Sequence, residues 1–137
     1  MSEGEISFFE SIYGIGRRSR MLDLIALKDG WDGNNAKALR PEALAQFIAF
    51  TERFGKVADD LAMFLSPDGG LLVGWSYWIN DPARQRRGGL TRRIDLQFHG
   101  DELSYSRYEF NEGWVTADVA SEAFATLVDQ YRSHRTA

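Results

Sequence analysis

The stretch from residue 93 to residue 108 constrains the fold of this chain most strongly, because polar and apolar residues alternate on both sides of a glycine turn. A two-residue turn at Gly100-Asp101 sets the register of a hairpin residue by residue. One face then pairs Phe98 with Leu103, Leu96 with Tyr105 and Ile94 with Arg107. The other face pairs Arg93 with Tyr108, Asp95 with Ser106, Gln97 with Ser104 and His99 with Glu102. We therefore predict an antiparallel hairpin with one buried and one solvated side.

Further strands are predicted on both sides of this hairpin. Residues 61–65 and 71–79 have the composition of two strands, and the Pro-Asp-Gly sequence between them is typical of a turn. A turn at residues 111–113 precedes a short edge strand at residues 114–116. The core face of the second strand is predicted to carry Leu71, Val73, Trp75, Tyr77 and Ile79.

Two helical regions are predicted before the sheet and one after it. The first begins at a capping box that starts with Ser7, is interrupted at Gly14 and Gly16, and is ended by Gly30. The second runs over residues 41–54. The last helix is predicted to be capped by Asp118 and to bury one stripe. That stripe comprises Ala120, Phe124, Leu127, Val128 and Tyr131.

Together these elements predict a single α+β domain over residues 1–137, with an antiparallel sheet of four to five strands and helices packed on one face. The predicted order is α-α-β-β-β-β-(β)-α. Residues 80–92 contain several arginines but little apolar content, so we predict a mobile basic loop there. Residues 133–137 are predicted to form a frayed tail.

The composition excludes several kinds of site. The chain has no cysteine, which excludes disulfides, thiolate zinc sites, iron–sulfur clusters and cysteine nucleophiles. Its N-terminus is acidic, and no apolar run is long enough to cross a bilayer, so we expect a cytoplasmic protein with no membrane partner. The formal net charge of -4 gives no overall attraction to nucleic acid.

Catalytic groups are sparse. The two histidines are His99, beside a tight turn on the solvated face, and His134, in the predicted tail. Neither position excludes water as general acid–base chemistry requires. Since no serine lies in a nucleophile elbow and no glycine run matches a phosphate loop, we predict no catalytic residue and no cofactor. An enzyme with an unrecognised site is the third of the functional hypotheses.

A turn-rich segment at residues 27–36 surrounds Trp31. Its carboxylate and amide side chains do not follow the spacing of a calcium loop, since Trp31 interrupts the alternating ligand positions, and we predict no metal site. The favoured interpretation is a structural turn in which Asp32 or Asn34 binds loose backbone amides and Trp31 fills a gap between helices and sheet. The alternative is that Trp31 is an exposed recognition residue.

Two motifs occur in this order: Leu27-Lys28-Asp29-Gly30-Trp31-Asp32-Gly33, then a helix, then Ser66-Pro67-Asp68-Gly69-Gly70-Leu71 running to Trp75. Together they resemble a group of small uncharacterised bacterial and phage proteins that carry a Gly-Trp-Asp-Gly turn and a Pro-Asp-Gly-Gly turn leading into a strand that ends at Trp. The resemblance covers about residues 22–109 and implies a shared fold, but no settled activity. Where that group usually has Glu before the Trp, this chain has Gly74.

Arginines are concentrated between the two central strands. They are Arg84, Arg86, Arg87, Arg92 and Arg93. With Trp78 and Tyr108 nearby, they are suited to bind an acidic protein, or to grip phosphates while aromatic rings stack on bases. The acidic overall charge favours a protein partner, with nucleic acid as the alternative. We therefore expect a non-enzymatic interaction module that neutralises a partner, such as an immunity protein, an antitoxin or a phage-encoded inhibitor.

Overall fold

The computed structural model describes residues 3–79 and 90–132 of the chain. Within these ranges, no helix combines the length and the hydrophobicity that a membrane span requires. The elements in chain order are α1 (Glu3–Tyr13), α2 (Ile15–Ala26), α3 (Pro41–Phe54), β1 (Ala62–Leu65), β2 (Leu71–Ile79), β3 (Leu90–Phe98), β4 (Leu103–Arg107), β5 (Glu112–Ala117) and α4 (Glu122–Tyr131). The chain thus has the predicted α+β class.

In the described part of the chain, the strands form one five-stranded antiparallel sheet in chain order, from β1 to β5. The hairpin register predicted for β3 and β4 is confirmed from Phe98 opposite Leu103 to Ile94 opposite Arg107. β1 and β2 pair across the Pro-Asp-Gly turn, as predicted. β5 pairs with β4 at the edge of the sheet and is longer than the predicted edge strand.

Helices cover one face of the sheet. Phe47 and Phe50 of α3 contact the ring of Phe98 edge-on, with centroids 5.4 and 5.5 Å apart. The Trp75 indole donates a hydrogen bond to the carbonyl of Tyr131, which ties β2 to the end of α4. The buried strand residues on this face include Met63, Leu65, Leu71, Val73, Trp75, Ile94, Leu96, Phe98 and Leu103. Functional side chains therefore come from the opposite face and from the sheet edges.

Within residues 3–79, three helices precede the first strand, whereas the predicted order has two. Gly14 adopts φ 88° between α1 and α2, and this conformation, which favours glycine, divides the predicted helical region into two helices. The capping box at Ser7 is wrong, because α1 begins at Glu3 and carries two glutamates in its first turn that favour that start. α2 ends at Ala26, before the stop predicted at Gly30.

The last helix, α4, begins later than predicted. Its cap is Ser121, whose hydroxyl accepts a hydrogen bond from the Phe124 amide at 3.1 Å. Asp118 instead accepts from the Ala120 amide at 2.9 Å in the preceding turn, so both residues lie outside the helix and Ala120 is exposed. The rest of the predicted stripe is buried, namely Phe124, Leu127, Val128 and Tyr131.

The predicted loop over residues 80–92 ends earlier than expected. β3 begins at Leu90, and Arg92 lies opposite Tyr77 of β2. Residues 90–92 join the sheet because the long strand β2 supplies pairing partners for them, although the glycines and arginines that surround them provide no strand signal. The remainder of that loop and the predicted tail at residues 133–137 lie outside the described residues.

Candidate functional site

The turn around Trp31 is a structural clasp. Asp32 Oδ1 accepts the backbone amides of Asn34 at 2.9 Å and Ala36 at 3.2 Å. Trp31 is half-buried, packs against the core, and donates from Nε1 to the Lys37 carbonyl at 2.9 Å. Asp32, rather than the exposed Asn34, therefore satisfies the loose amides, and the indole N–H is already used within the turn.

The two motifs that the sequence singles out are in contact with each other. The Lys37 amide donates to the Pro67 carbonyl at 2.8 Å, and the Arg40 amide donates to the Gly69 carbonyl at 2.9 Å. A side chain on Gly69 would place its Cβ only 2.7 Å from the Ala38 carbonyl oxygen. The clasp and the Pro-Asp-Gly turn thus form one unit that joins the helices to the β1–β2 hairpin.

Two of the five predicted arginines lie in the described part of the chain, and both are paired with carboxylates. Arg93 binds Asp95 through two nitrogens, at 2.8 and 3.1 Å. Arg92 forms an ion pair with Glu109. Burial lowers the pKa of Arg92, but hydrogen bonds to Tyr77 and Glu109 outweigh that effect and leave the pKa raised. Their charges are therefore already compensated within the fold.

Of the other predicted contact residues, some lie in the described part of the chain and others do not. Arg84, Arg86 and Arg87 lie outside the described residues. Trp78 belongs to β2, where its Cα is opposite that of Thr91. Tyr108 follows β4 and is exposed.

Gly74 is covered by the ion pair of Arg93 and Asp95. A Cβ at position 74 would collide with the Asp95 carboxylate and would lie 2.8 Å from an Arg93 guanidinium nitrogen. The absence of a side chain at Gly74 on β2 thus leaves room for the ion pair that Arg93 and Asp95 form within β3.

Apolar side chains are exposed together at one corner of the sheet, which we call the aromatic corner: Tyr108, Phe110, Trp114 and Val115. Their exposed fractions are 66, 56, 53 and 38%, respectively. Arg107 stacks on the Phe110 ring at 4.7 Å from its centroid and forms an ion pair with Glu112. Beside the corner lies a cavity of about 300 Å³ lined in part by Arg93, Asp95 and Ser106.

Only Tyr108 of the aromatic corner was among the predicted contact residues. Adjacent apolar residues in a strand point to opposite faces, so Trp114 and Val115 cannot both be buried when one face is solvated. Two adjacent apolar residues on an edge strand therefore indicate from the sequence that an apolar side chain is exposed there, and β5 is such an edge strand.

A polar network lies on the uncovered face, where β3 and β4 meet the β1–β2 turn. Gln97 Nε2 donates to Ser66 Oγ at 3.0 Å, and Ser66 donates to Asp68 Oδ1 at 2.7 Å. The ring of His99 lies between Asp68 and Ser104, with Nδ1 3.4 Å from Asp68 Oδ2 and Nε2 3.2 Å from Ser104 Oγ. The sequence predicts His99 beside a tight turn on the solvated face, and the structure also places its ring in a chain of hydrogen-bonding groups.

Asp68 is held as a carboxylate by this network. Partial burial raises the pKa of Asp68, but the Gly70 amide, the Ser66 hydroxyl and His99 together outweigh that burial and lower it. The amide of Gly70 donates to Asp68 Oδ1 at 2.8 Å. The second carboxylate oxygen is thereby left to face His99.

Comparison with known protein families, with curated proteins and with solved structures finds no match to this chain.

Proposed function

We propose that this protein is an interaction module that binds and neutralises a partner protein, in the manner of an immunity protein, an antitoxin or a phage-encoded inhibitor such as an anti-defence protein. The observation that carries the proposal is the aromatic corner, where Tyr108, Phe110 and Trp114 are exposed close together in the chain and Val115 is exposed on the other face of β5. Contiguous exposed apolar side chains mark protein-binding surfaces more often than scattered ones do.

The chemistry of the corner suits a protein interface. Tyrosine, tryptophan, phenylalanine and arginine are the residue types enriched in such interfaces, and the corner combines three aromatic side chains with Arg107. Arg107 is held in place by Glu112, so little side-chain entropy is lost when a partner binds. The outer backbone of β5 adds hydrogen-bonding groups at the same edge.

A protein partner is favoured over nucleic acid because Arg92 and Arg93 are already neutralised. A phosphate would have to displace Glu109 from Arg92 and Asp95 from Arg93 before it gained either contact. Arg84, Arg86 and Arg87 are proposed to flank the partner, in keeping with the preference for an acidic protein.

Affinity purification with matched variants tests this function. The double variant Tyr108→Ser/Trp114→Ser removes two corner side chains, and Ile15→Ser removes an apolar side chain on α2 that is 68% exposed. We expect the wild type and Ile15→Ser to retain the same host protein and the double variant to lose it. Equal retention by all three folded proteins would overturn the proposal.

A nucleic-acid titration separates the alternative. Labelled single- and double-stranded DNA and RNA are titrated at increasing salt concentration, because phosphate contacts lose affinity steeply with salt. We expect no salt-sensitive binding. A steep loss of affinity with salt would replace the protein-binding proposal by the nucleic-acid alternative.

A further inference from the structure

We propose that Ser104, His99 and Asp68 form an acyl-transfer site in which Ser104 is an activated nucleophile toward small carboxylic esters. This activity goes beyond partner binding, since none of these three residues belongs to the aromatic corner. The proposal rests on the order of hydroxyl, imidazole and carboxylate on the sheet face opposite the helices, where the Ser104 residue is 9% exposed.

The geometry is that of a nucleophile, its base and a positioning carboxylate. When His99 Nδ1 carries its proton toward Asp68 Oδ2 at 3.4 Å, Nε2 is free to accept the Ser104 hydroxyl at 3.2 Å. This order of groups activates serine on several unrelated folds, and distances in the absence of substrate are often longer than in the reacting complex.

Each residue is placed by regular backbone structure. Ser104 lies within β4, and His99 directly follows β3, where its amide pairs with the Glu102 carbonyl at 3.0 Å. Asp68 is fixed in the β1–β2 turn by the Gly70 amide. A Cβ on Gly70 would lie 2.9 Å from the Phe98 carbonyl oxygen, so the glycine allows the turn to approach the end of β3.

Gln97 supplies a hydrogen-bond donor beside the nucleophile. Its Cα is directly opposite that of Ser104, so the two side chains share one face of the sheet. The amide nitrogen of Gln97 carries two N–H groups, and Ser66 takes one of them. The other is available to an oxyanion that forms on a substrate attached to Ser104.

The reaction needs only the ester and water. The Ser104 oxygen attacks the ester carbonyl carbon while its proton passes to His99 Nε2, and the carbonyl oxygen becomes an oxyanion. Collapse of this intermediate breaks the ester C–O bond, and the leaving alkoxide takes the proton from His99. Water then attacks the acyl group on Ser104 as His99 accepts its proton, and the carboxylic acid is released when that proton returns to Ser104.

Labelling with diisopropyl fluorophosphate tests for the nucleophile. The wild type and Ser76→Ala, which alters another serine on the same face, are expected to gain one phosphoryl adduct, with loss of fluoride. Ser104→Ala is expected to gain none, and His99→Gln to react at least about 100-fold more slowly. Peptide mapping of the wild-type adduct locates it without any variant. An unlabelled wild type, or an adduct on another residue, would overturn the proposal.

The role of Asp68 is that of a positioning residue, and Asp68→Asn tests it. Asparagine keeps Oδ1 for the Gly70 amide and the Ser66 hydroxyl, but it turns an N–H toward His99 Nδ1 and so favours the tautomer that cannot act as a base. With p-nitrophenyl acetate as substrate, we expect kcat to fall by at least about 100-fold while KM is unchanged. An unchanged kcat would remove Asp68 from the site.

Discussion

Replacing Asp32 by alanine should lower the free energy of unfolding by about 2 kcal/mol. Asp32 Oδ1 accepts two backbone amides, those of Asn34 at 2.9 Å and Ala36 at 3.2 Å. A hydrogen bond contributes about 1 kcal/mol net, and we use that central value for each because the carboxylate is exposed to water. The loss has no other large component, since little apolar area is removed.

Urea unfolding followed by circular dichroism measures this loss. For a chain of this length, about 2 kcal/mol corresponds to a melting temperature roughly 6–8 °C lower. Asp32→Asn keeps the Oδ1 acceptor and should lose less than half as much. Asn35→Ala, at an exposed neighbour in the same turn, should stay within about 0.5 kcal/mol of the wild type. An Asp32→Ala protein as stable as Asn35→Ala would refute the clasp.

Two further predictions concern the packing around the clasp and the helical layer. Gly69→Ala places a Cβ 2.7 Å from the Ala38 carbonyl oxygen on a residue whose φ is 87°. Urea unfolding should therefore show that the free energy of unfolding falls by at least about 2 kcal/mol. A loss below about 0.5 kcal/mol would contradict that contact. Burial raises the pKa of Tyr13 to about 12, so the stability that its neutral hydroxyl contributes is present in full below pH 10 and is lost as the pH rises toward 12. Between pH 10 and pH 12 the free energy of unfolding of the wild type should therefore fall by about 2–3 kcal/mol more than that of Tyr13→Phe. Parallel pH profiles of the two proteins would contradict the burial.

The sheet could be predicted from the sequence because its signals are local. The glycine turn at residues 100–101 and the alternation on either side of it fix the register from Phe98 opposite Leu103 outward. A shift of one residue would bury Gln97 and Asp95 and expose Leu96, so only one register is compatible with a buried face.

Helix ends were less predictable because several residues compete to cap them. Both Asp118 and Ser121 are good caps by type, and Asp118 accepts the Ala120 amide in a turn while Ser121 caps α4. Which of the two caps begins the helix depends on where the apolar stripe of α4 packs against the sheet. The local sequence does not contain that information.

The polar network could not be predicted because it joins distant parts of the chain. Asp68 and His99 are 31 positions apart, and their contact depends on how the β1–β2 turn folds toward β3. The ion pair of Arg92 and Glu109 could not be predicted either, because it requires β3 to begin earlier than the composition of this segment suggests. Contacts between a turn and a strand leave no periodic pattern in the sequence.

The dissociation constant of the captured partner for Trp114→Ala tests the proposed function most directly. A central interface tryptophan contributes about 2 kcal/mol or more, so we expect binding at least about 30-fold weaker than for the wild type. Ile15→Ala, which removes an exposed apolar side chain outside the aromatic corner, should bind within about twofold of the wild type. Equal affinities for Trp114→Ala and Ile15→Ala would contradict the assignment of the aromatic corner as the partner-binding surface.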